Sequence, residues 1–181
     1  MEEKSHVKYY IVKLVLFAVL AVMVFIFRVP LVEHLKYFIG GLMLLYGVEE
    51  IAFEAIYHHH HILHQDKFYL GFIEVLLGTV MLLVDISYEG VCIIWATWSV
   101  LRESYEIKEV FSELKCLAPK IISGLESLVV IVLSIFLIIQ PDEHSATTHL
   151  YLLLVELLLT PFIPLLDEIL ESNNNQEDDH R

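Results

Sequence analysis

The sequence predicts an all-α, polytopic membrane protein of about six transmembrane helices, and two observations lead to this prediction. Apolar residues make up 57% of the 181 residues, and the mean hydropathy is +0.66, which is too high for a soluble protein that must cover itself with polar groups. Several apolar stretches reach the length of about 20 residues that a helix needs to cross a hydrocarbon layer about 30 Å thick. We therefore expect membrane lipids to surround the chain.

Six apolar segments can be recognised, and a single transmembrane domain over residues 1–171 would contain them all. The first is too long for a signal peptide and has no cleavage site, so we expect it to remain as a helix. It should end near Pro30, because proline disfavours helix continuation. The fourth is short and must either include Tyr88 to Gly90 or continue through Arg102 to Tyr105, and we expect it to emerge into the cytoplasm as an amphipathic extension. In chain order the segments are Tyr9–Phe27, Tyr37–Tyr57, Phe68–Val84, Val91–Leu101, Ile121–Ile139 and Leu150–Leu166.

The proline positions and the C-terminal residues give further expectations. Gln140-Pro141-Asp142 should stop the fifth helix, and Pro161 with Pro164 should kink the sixth. Residues 172–181 are polar and have no apolar anchors, which predicts a disordered acidic tail.

The distribution of basic residues predicts the orientation of the helices. If the N-terminus is cytoplasmic, nine of the 11 Lys and Arg residues lie on the cytoplasmic side, and only Arg28 and Lys36 lie outside. Basic residues concentrate on the cytoplasmic side of membrane proteins. The sequence therefore predicts a multi-pass protein of the plasma or inner membrane with both termini in the cytoplasm.

Charge, cysteine usage and motifs exclude several function classes. The formal net charge of −13 argues against nucleic acid as a partner, because phosphate binding depends on Lys and Arg. The topology places Cys92 and Cys116 on opposite sides of the membrane, so we interpret both as unbridged thiols. The sequence contains no phosphate loop, nucleophile constellation, zinc-protease pair or nucleotide fingerprint. We therefore expect neither an enzyme nor a cofactor, and the oligomeric state stays open, with a homo-oligomer among the alternatives.

The six helices can be grouped into three consecutive hairpins with a weak internal repeat. Each odd helix leads into a tight outer turn and carries one ionisable residue near its cytoplasmic start, namely Lys13, Glu74 or Glu126. Each even helix ends with charged residues four positions apart, which share one helix face. These pairs are Glu50 with Glu54, Arg102 with Glu106, and Asp167 with Glu171.

Glycine and proline positions in these hairpins give the chain a resemblance to a known family. The segments are Gly40 to Gly47, Gly71 to Leu83, and Ser123 to Pro141. In these segments the chain resembles the HdeD-like acid-resistance membrane proteins, which are six-helix proteins built from short hairpin repeats. The resemblance implies a non-enzymatic membrane protein of acid or envelope stress tolerance and carries over no active site.

The ionisable residues at membrane depth suggest a second class of function. Charged groups near the bilayer centre cost about 2.5 to 3.5 kcal/mol on insertion scales, so each invites a functional hypothesis. Lys13, Glu74 and Glu126 could converge as a polar centre that handles protons. Alternatively, Lys13 could extend to the interface while the glutamates cap the inner ends of their helices. Glu156 is the charge that the sequence explains least.

Two further groups lie near the cytoplasmic face. A charge cluster of Glu50, Glu54, Arg102, Glu106, Asp167 and Glu171 could be a structural ring or a vestibule for cations. The histidines His58, His59, His60, His61 and His64 suit divalent metals such as Zn²⁺, although contiguous histidines lack the spacing of a closed zinc site. A polar loop or a pH sensor would account for them equally. The alternative to a stress protein is thus a small transporter or channel for protons or divalent metals, in which the histidines would collect the metal ions.

Small residues give a structural signal. Gly40, Gly41 and Gly47, together with Gly71 and Gly78, would permit close contact between helices two and three. We expect their role to be helix packing.

Overall fold

The computed structural model describes residues 3–57, 66–114 and 116–178, and these residues are almost entirely helical. The described residues contain no strand, which confirms the all-α prediction. Their helices are α1 Glu3–Glu33, α2 Leu35–Tyr57, α3 Asp66–Leu83, α4 Tyr88–Glu113, α5 Leu117–Ile139 and α6 Glu143–Asp178.

Three of these helices are long and apolar enough to cross a membrane. They are Tyr10–Arg28 within α1, Leu117–Ile139, which is all of α5, and Glu143–Glu171 within α6. The apolar part of α3, Phe68–Leu83, is shorter than such a span. The lengths of these three helices are consistent with a membrane protein.

The first helix continues past the point where the sequence predicts its end. Phe27 has non-helical backbone angles, with φ −99° and ψ 17°, and a second helical segment then runs to Glu33. Pro30 lies within the first turn after this kink. Proline is tolerated there, because the first N–H groups of a helical segment have no intrahelical acceptor. The proline therefore follows a kink and does not terminate the helix.

Three helices extend further than their apolar segments. α4 reaches Glu113, α5 begins at Leu117 and α6 begins at Glu143. The charged stretch between α4 and α5 is consequently a short link at residues 114–116. α6 also continues to Asp178, which includes most of the stretch that the sequence predicts to be disordered. No glycine or proline occurs between Leu165 and Asp178 to end the helix.

The turn between α5 and α6 is closed by Asp142. α5 ends at Ile139, as Pro141 predicts, and Asp142 precedes the first residue of α6. The backbone N–H of Ser145 donates to Asp142 Oδ1 at 2.7 Å, and Gln140 Nε2 donates to Oδ2 at 2.8 Å. The bonds from Ser145, and then the bond from Gln140, hold the pKa of Asp142 below its usual value. Asp142 is therefore an N-cap of the kind that stabilises helix starts.

The chain forms two compact units. The first combines the chain up to Arg28 with the chain from Ala96 onward, and the second is Val29–Trp95. In the first unit Phe17, Ala21 and Val24 form the buried stripe of α1. The second unit contains α2, α3 and the beginning of α4.

Glycines set the separation of α2 and α3 in the second unit. A Cβ atom on Gly47 would lie 2.5 Å from the Gly71 carbonyl oxygen, and one on Gly71 would lie 2.9 Å from the Gly47 oxygen. Further along the pair, a Cβ on Gly78 would lie 2.7 Å from the Gly40 oxygen. Gly41 differs, because nothing lies within 4 Å of a Cβ placed there. Four of the five glycines thus have the packing role that the sequence predicts.

Candidate functional site

Helix α5 has its polar residues inside and its apolar residues outside. Its buried face includes Ser123, Glu126, Ser127 and Ser134. The opposite face exposes large apolar side chains, namely Leu125, Leu128, Val129, Val132, Ile135 and Phe136. A water-soluble helix has the reverse arrangement. α5 therefore presents apolar groups to its surroundings and polar groups to the protein interior, an arrangement consistent with a membrane helix.

Buried polar side chains also occur in two other helices of the first unit, beside buried apolar ones. α4 buries Ser99, Arg102 and Glu103, and α6 buries His149 and Glu156. α6 exposes Val155, Leu158 and Phe162 on its other faces. We call the residues on these inward faces the buried polar cluster. Its members are Ser99, Arg102, Glu103, Ser123, Glu126, Ser127, Ser134, His149 and Glu156.

Three contacts define the geometry around α4. Ser99 Oγ and His149 Nε2 are 3.3 Å apart, so this hydrogen bond joins α4 to α6. One turn further along α4, Arg102 Nε donates to Glu106 Oε1 at 3.1 Å. The Arg102 guanidinium carbon also lies 6.0 Å from the centre of the Trp98 ring. Arg102 is thereby held by its own helix on two sides.

Acidic groups outnumber the basic group in this interior. Glu126 lies close enough to feel the charges of Glu103, Glu106, Glu156 and Arg102. These four carboxyl groups face one guanidinium, so the group would carry a formal charge of about −3 if all were ionised. Uncompensated buried charges are strongly unfavourable. Protons or other cations can neutralise part of such a negative charge.

Two oxygens of the cluster are not used by protein hydrogen bonds. Oε1 of Glu126 and the hydroxyl of Ser134 make no hydrogen bond within the described part of the chain, whereas the Ser127 side chain interacts with Glu103. Ser134 is fully buried, and Glu126 is 8% exposed. Hydrogen bonding between helices therefore does not account for these two oxygens. Leaving a buried polar group unsatisfied costs about 1 to 3 kcal/mol.

The buried polar cluster covers a substantial depth of a bilayer. From Ser123 to Ser134 the polar face of α5 rises roughly 16 Å, at 1.5 Å per residue. This is about half of a hydrocarbon layer roughly 30 Å thick. The cluster is thus an elongated polar interior and not a single buried ion pair.

The predicted polar centre is distributed over the two units. Glu126 belongs to the buried polar cluster, and Lys13 lies on α1 of the same unit with Nζ 5.4 Å from the centre of the Phe17 ring. Glu74 is fully buried on α3 in the second unit. The structure places Glu103, Glu106, Glu156 and Arg102 around Glu126. From the sequence, Arg102 and Glu106 are expected in the charge cluster, and Glu156 is the least explained charge.

The residues of the predicted charge cluster make different contacts in the structure. Arg102 and Glu106, which are four positions apart on α4, form an ion pair. Asp167 instead accepts a hydrogen bond at 2.7 Å from the backbone N–H of Cys116, which precedes α5. Glu171 is half-buried on α6, and Glu50 is half-buried on α2 in the second unit. Glu54 lies on α2, and its side chain is outside the described residues.

The contact of Asp167 with Cys116 leads to a prediction for stability. Cys116 has no side-chain cap of its own, so the carboxylate of α6 caps the start of α5. Asp167→Ala should lower the free energy of unfolding by about 1 to 2 kcal/mol. Asp167→Asn keeps an acceptor oxygen and should lose less. Unfolding in mixed detergent micelles measures both, and equal losses for the two variants would contradict the capping role.

The structure offers little to a transition metal. The histidines His58, His59, His60, His61 and His64 lie outside the described residues. Within 3–57, 66–114 and 116–178, no three His, Cys, Asp or Glu side chains gather closely enough to hold a metal ion. Cys92 and Cys116 are both thiols and form no disulfide. The polar interior is therefore a site of oxygen atoms and one imidazole.

Sequence reasoning missed Glu103, Ser127 and the bond between Ser99 and His149. One signal for the serines was present. Ser123, Ser127 and Ser134 lie with Glu126 at intervals of three, four and seven residues along an apolar helix, which is the period of a single helix face. Glu103 had no such signal, because it lies in a stretch where charged residues are frequent.

The comparisons with known proteins give no relative from which function could be transferred. No family model matches the chain, no curated protein matches it, and no solved structure matches it. The resemblance to HdeD-like proteins consequently depends only on the glycine and proline positions described above. The buried polar cluster is the feature of this chain that carries the functional argument.

Proposed function

We propose that this chain is a non-enzymatic integral membrane protein that conducts protons through the buried polar cluster of its first unit. The observation that supports the proposal is the inverted polarity of α5, together with the carboxyl, hydroxyl and imidazole groups that α4 and α6 bury in the same unit. Polar and ionisable residues inside membrane helices are costly and commonly mark ion pathways and proton relays. The proposed topology has about six spans with both termini in the cytoplasm, as the basic residues indicate.

The groups of the cluster have the chemistry that proton movement requires. Carboxyl and imidazole groups bind and release protons, and serine hydroxyls can both donate and accept a hydrogen bond. Glu103, Glu126 and Glu156 are contributed by three different helices. The pair Ser99 and His149 lies two turns or less along α4 and α6 from Glu103 and Glu156. A proton would move between neighbouring groups of this kind without requiring a wide pore.

A purely structural role explains less of what is seen. Hydrogen bonds between membrane helices contribute about 0.6 kcal/mol on average to stability. Oε1 of Glu126 and the hydroxyl of Ser134 make no such bonds within the described residues. These groups lower the stability of the fold and do not join one helix to another. A position in the path of the transported proton accounts for these groups.

The test is proton flux into liposomes that contain the purified full chain. A potassium diffusion potential drives protons inward, and an internal pH dye reports their arrival. Wild-type chain should acidify the lumen well above protein-free liposomes, whereas Glu126→Gln should fall to the leak rate, because the amide cannot exchange a proton.

Glu143→Gln is the matched control for this experiment. Glu143 is an exposed glutamate in the first turn of α6 and lies outside the cluster. This variant should conduct like the wild type. Acidification no faster with wild-type chain than in protein-free liposomes would refute proton conduction.

The physiological setting that accompanies this proposal is acid or envelope stress tolerance. It comes from the resemblance to HdeD-like proteins and from no other feature. A protein that moves protons across the plasma or inner membrane would have a direct effect under acid stress.

A further inference from the structure

Arg28, at the end of the apolar part of α1, is a cation that aromatic rings hold in place and that no carboxylate neutralises. Its guanidinium carbon lies 5.5 Å from the centre of the Phe25 ring on α1 and 5.9 Å from the centre of the Tyr151 ring on α6. Arg28 is exposed and forms no ion pair with any residue that the structure describes. The rings attract the charge but are not acceptor oxygens for the guanidinium N–H donors. These donors are therefore available to an anion from outside the chain.

The contact between Arg28 and Tyr151 lies at the boundary between apolar and polar sequence on both helices. The apolar span Tyr10–Arg28 ends at this arginine, and Tyr151 lies at the beginning of the apolar stretch of α6, residues 150–166. Aromatic and basic side chains are typical of the level at which hydrocarbon meets lipid headgroups. In the proposed topology this level is the outer surface of the membrane, where the phosphates of phospholipids lie.

An exposed apolar stripe on α6 leads from Tyr151 into the membrane. Its residues follow one another at intervals of four, three and four positions, so they share one face of the helix. The stripe is roughly 16 Å long at 1.5 Å per residue, which is about half of a hydrocarbon layer roughly 30 Å thick. One acyl chain of a lipid occupies the same half. The residues of this acyl-chain stripe are Tyr151, Val155, Leu158 and Phe162.

The chemistry of the guanidinium selects a phosphate group. Arginine forms paired, charge-assisted hydrogen bonds with phosphate oxygens. The chain as a whole has a formal net charge of −13 and would repel anions, so a fixed local cation is needed to hold one. A lipid with an anionic headgroup is the most favourable ligand, because no cation of its own competes for the phosphate.

We propose that Arg28, held between Phe25 and Tyr151, binds the phosphate of one phospholipid in the outer leaflet while an acyl chain of the same lipid lies along the acyl-chain stripe. The inference shares the membrane setting of the proposed function. It does not depend on proton conduction, because none of these residues belongs to the buried polar cluster.

Native mass spectrometry of the purified full chain in detergent, titrated with dioleoyl phosphatidylglycerol, tests the inference. The wild type should bind one lipid saturably. Arg28→Gln should raise the half-saturating lipid concentration about tenfold, because the charge-assisted pair with the phosphate is lost. Arg28 is exposed, so this substitution leaves the core of the first unit unchanged.

Lys36→Gln is the matched control. It also removes one positive charge beside an aromatic ring, since Lys36 Nζ lies 5.5 Å from the centre of the Tyr37 ring, but it does so in the second unit. This variant should bind phosphatidylglycerol like the wild type. Equal losses of affinity for Arg28→Gln and Lys36→Gln would overturn the assignment of the phosphate to Arg28.

Two ligands that each lack one part of the lipid test the two halves of the site. Dioleoylglycerol has the same acyl chains without a phosphate and should bind the wild type no better than Arg28→Gln. A preference of the wild type for it would overturn the role of the phosphate. Inorganic phosphate in excess has no acyl chain and should not displace phosphatidylglycerol. Displacement would overturn the role of the acyl-chain stripe.

The result for lipid binding is independent of the result for proton flux. Absence of saturable phosphatidylglycerol binding in a chain that conducts protons would overturn the lipid site and leave proton conduction standing. Saturable binding that depends on Arg28, in a chain that shows no proton flux, would support the lipid site and overturn proton conduction.

Discussion

Gly47→Ala should destabilise the second unit, and Gly41→Ala, six residues earlier on the same helix, should not. A Cβ on Gly47 would meet the Gly71 carbonyl oxygen at 2.5 Å and the Val75 backbone nitrogen at 2.9 Å. Both are backbone atoms, so no side chain can rotate away, and α2 must separate from α3. Overpacking of this kind costs about 1 to 3 kcal/mol, which exceeds the gain of about 1 kcal/mol that alanine brings to a helix.

Gly41 supplies the matched control because nothing lies within 4 Å of a Cβ built there. Gly41→Ala should therefore raise the free energy of unfolding, by up to about 1 kcal/mol from helix propensity. The two substitutions are chemically identical and are expected to have opposite signs. Unfolding of the full chain in mixed detergent micelles measures both. A stabilising Gly47→Ala would show that α2 and α3 are not packed backbone to backbone at this position.

Arg102→Met should destabilise the first unit by about 3 to 5 kcal/mol, the range observed when one partner of a buried ion pair is removed. The Arg102 side chain is 4% exposed and that of Glu106 is 20% exposed, so water replaces little of the lost interaction. Glu103 and Glu126 also feel the charge of Arg102. Removal of the guanidinium thus leaves several carboxyl groups without their nearby positive charge.

A double substitution separates this charge effect from the loss of side-chain volume. Arg102→Met combined with Glu106→Gln removes both members of the pair and should recover part of the lost stability. Lys108→Met on the exposed side of α4 is the control and should change the free energy of unfolding by less than about 0.5 kcal/mol. A double variant as unstable as Arg102→Met alone would mean that Glu106 is not the partner that matters.

Local features of the fold could be predicted where a single helix contains the information. The end of α5 at Ile139 follows from Pro141, and the glycines of α2 and α3 indicate a close helix pair. Arg102 and Glu106 share one helix face, as a spacing of four residues predicts, and the structure shows that they form an ion pair. The extension of α4 to Glu113 is less visible in the sequence, because charged residues fit both an amphipathic helix and a link.

Contacts between different helices of the candidate site could not be predicted in this way. Glu126 could be singled out as a charge in an apolar segment, but its neighbours could not. Ser99 and His149 are 50 positions apart in the chain, and Cys116 and Asp167 are 51 positions apart. Neither pair has a pattern of its own, since each contact exists only when two helices meet at a particular rotation and height.

The sequence alone determined that the chain is helical and strongly apolar, and it contained the polar stripe of α5 as a periodic pattern. The tertiary structure decided which helix faces turn inward and therefore which carboxyl and hydroxyl groups share one interior. The reason is physical. Lipid tails are as apolar as leucine, so the outward faces of such helices do not select their neighbours. The close approach of glycines, the packing of side chains and the few polar contacts decide the arrangement, and these depend on several helices at once.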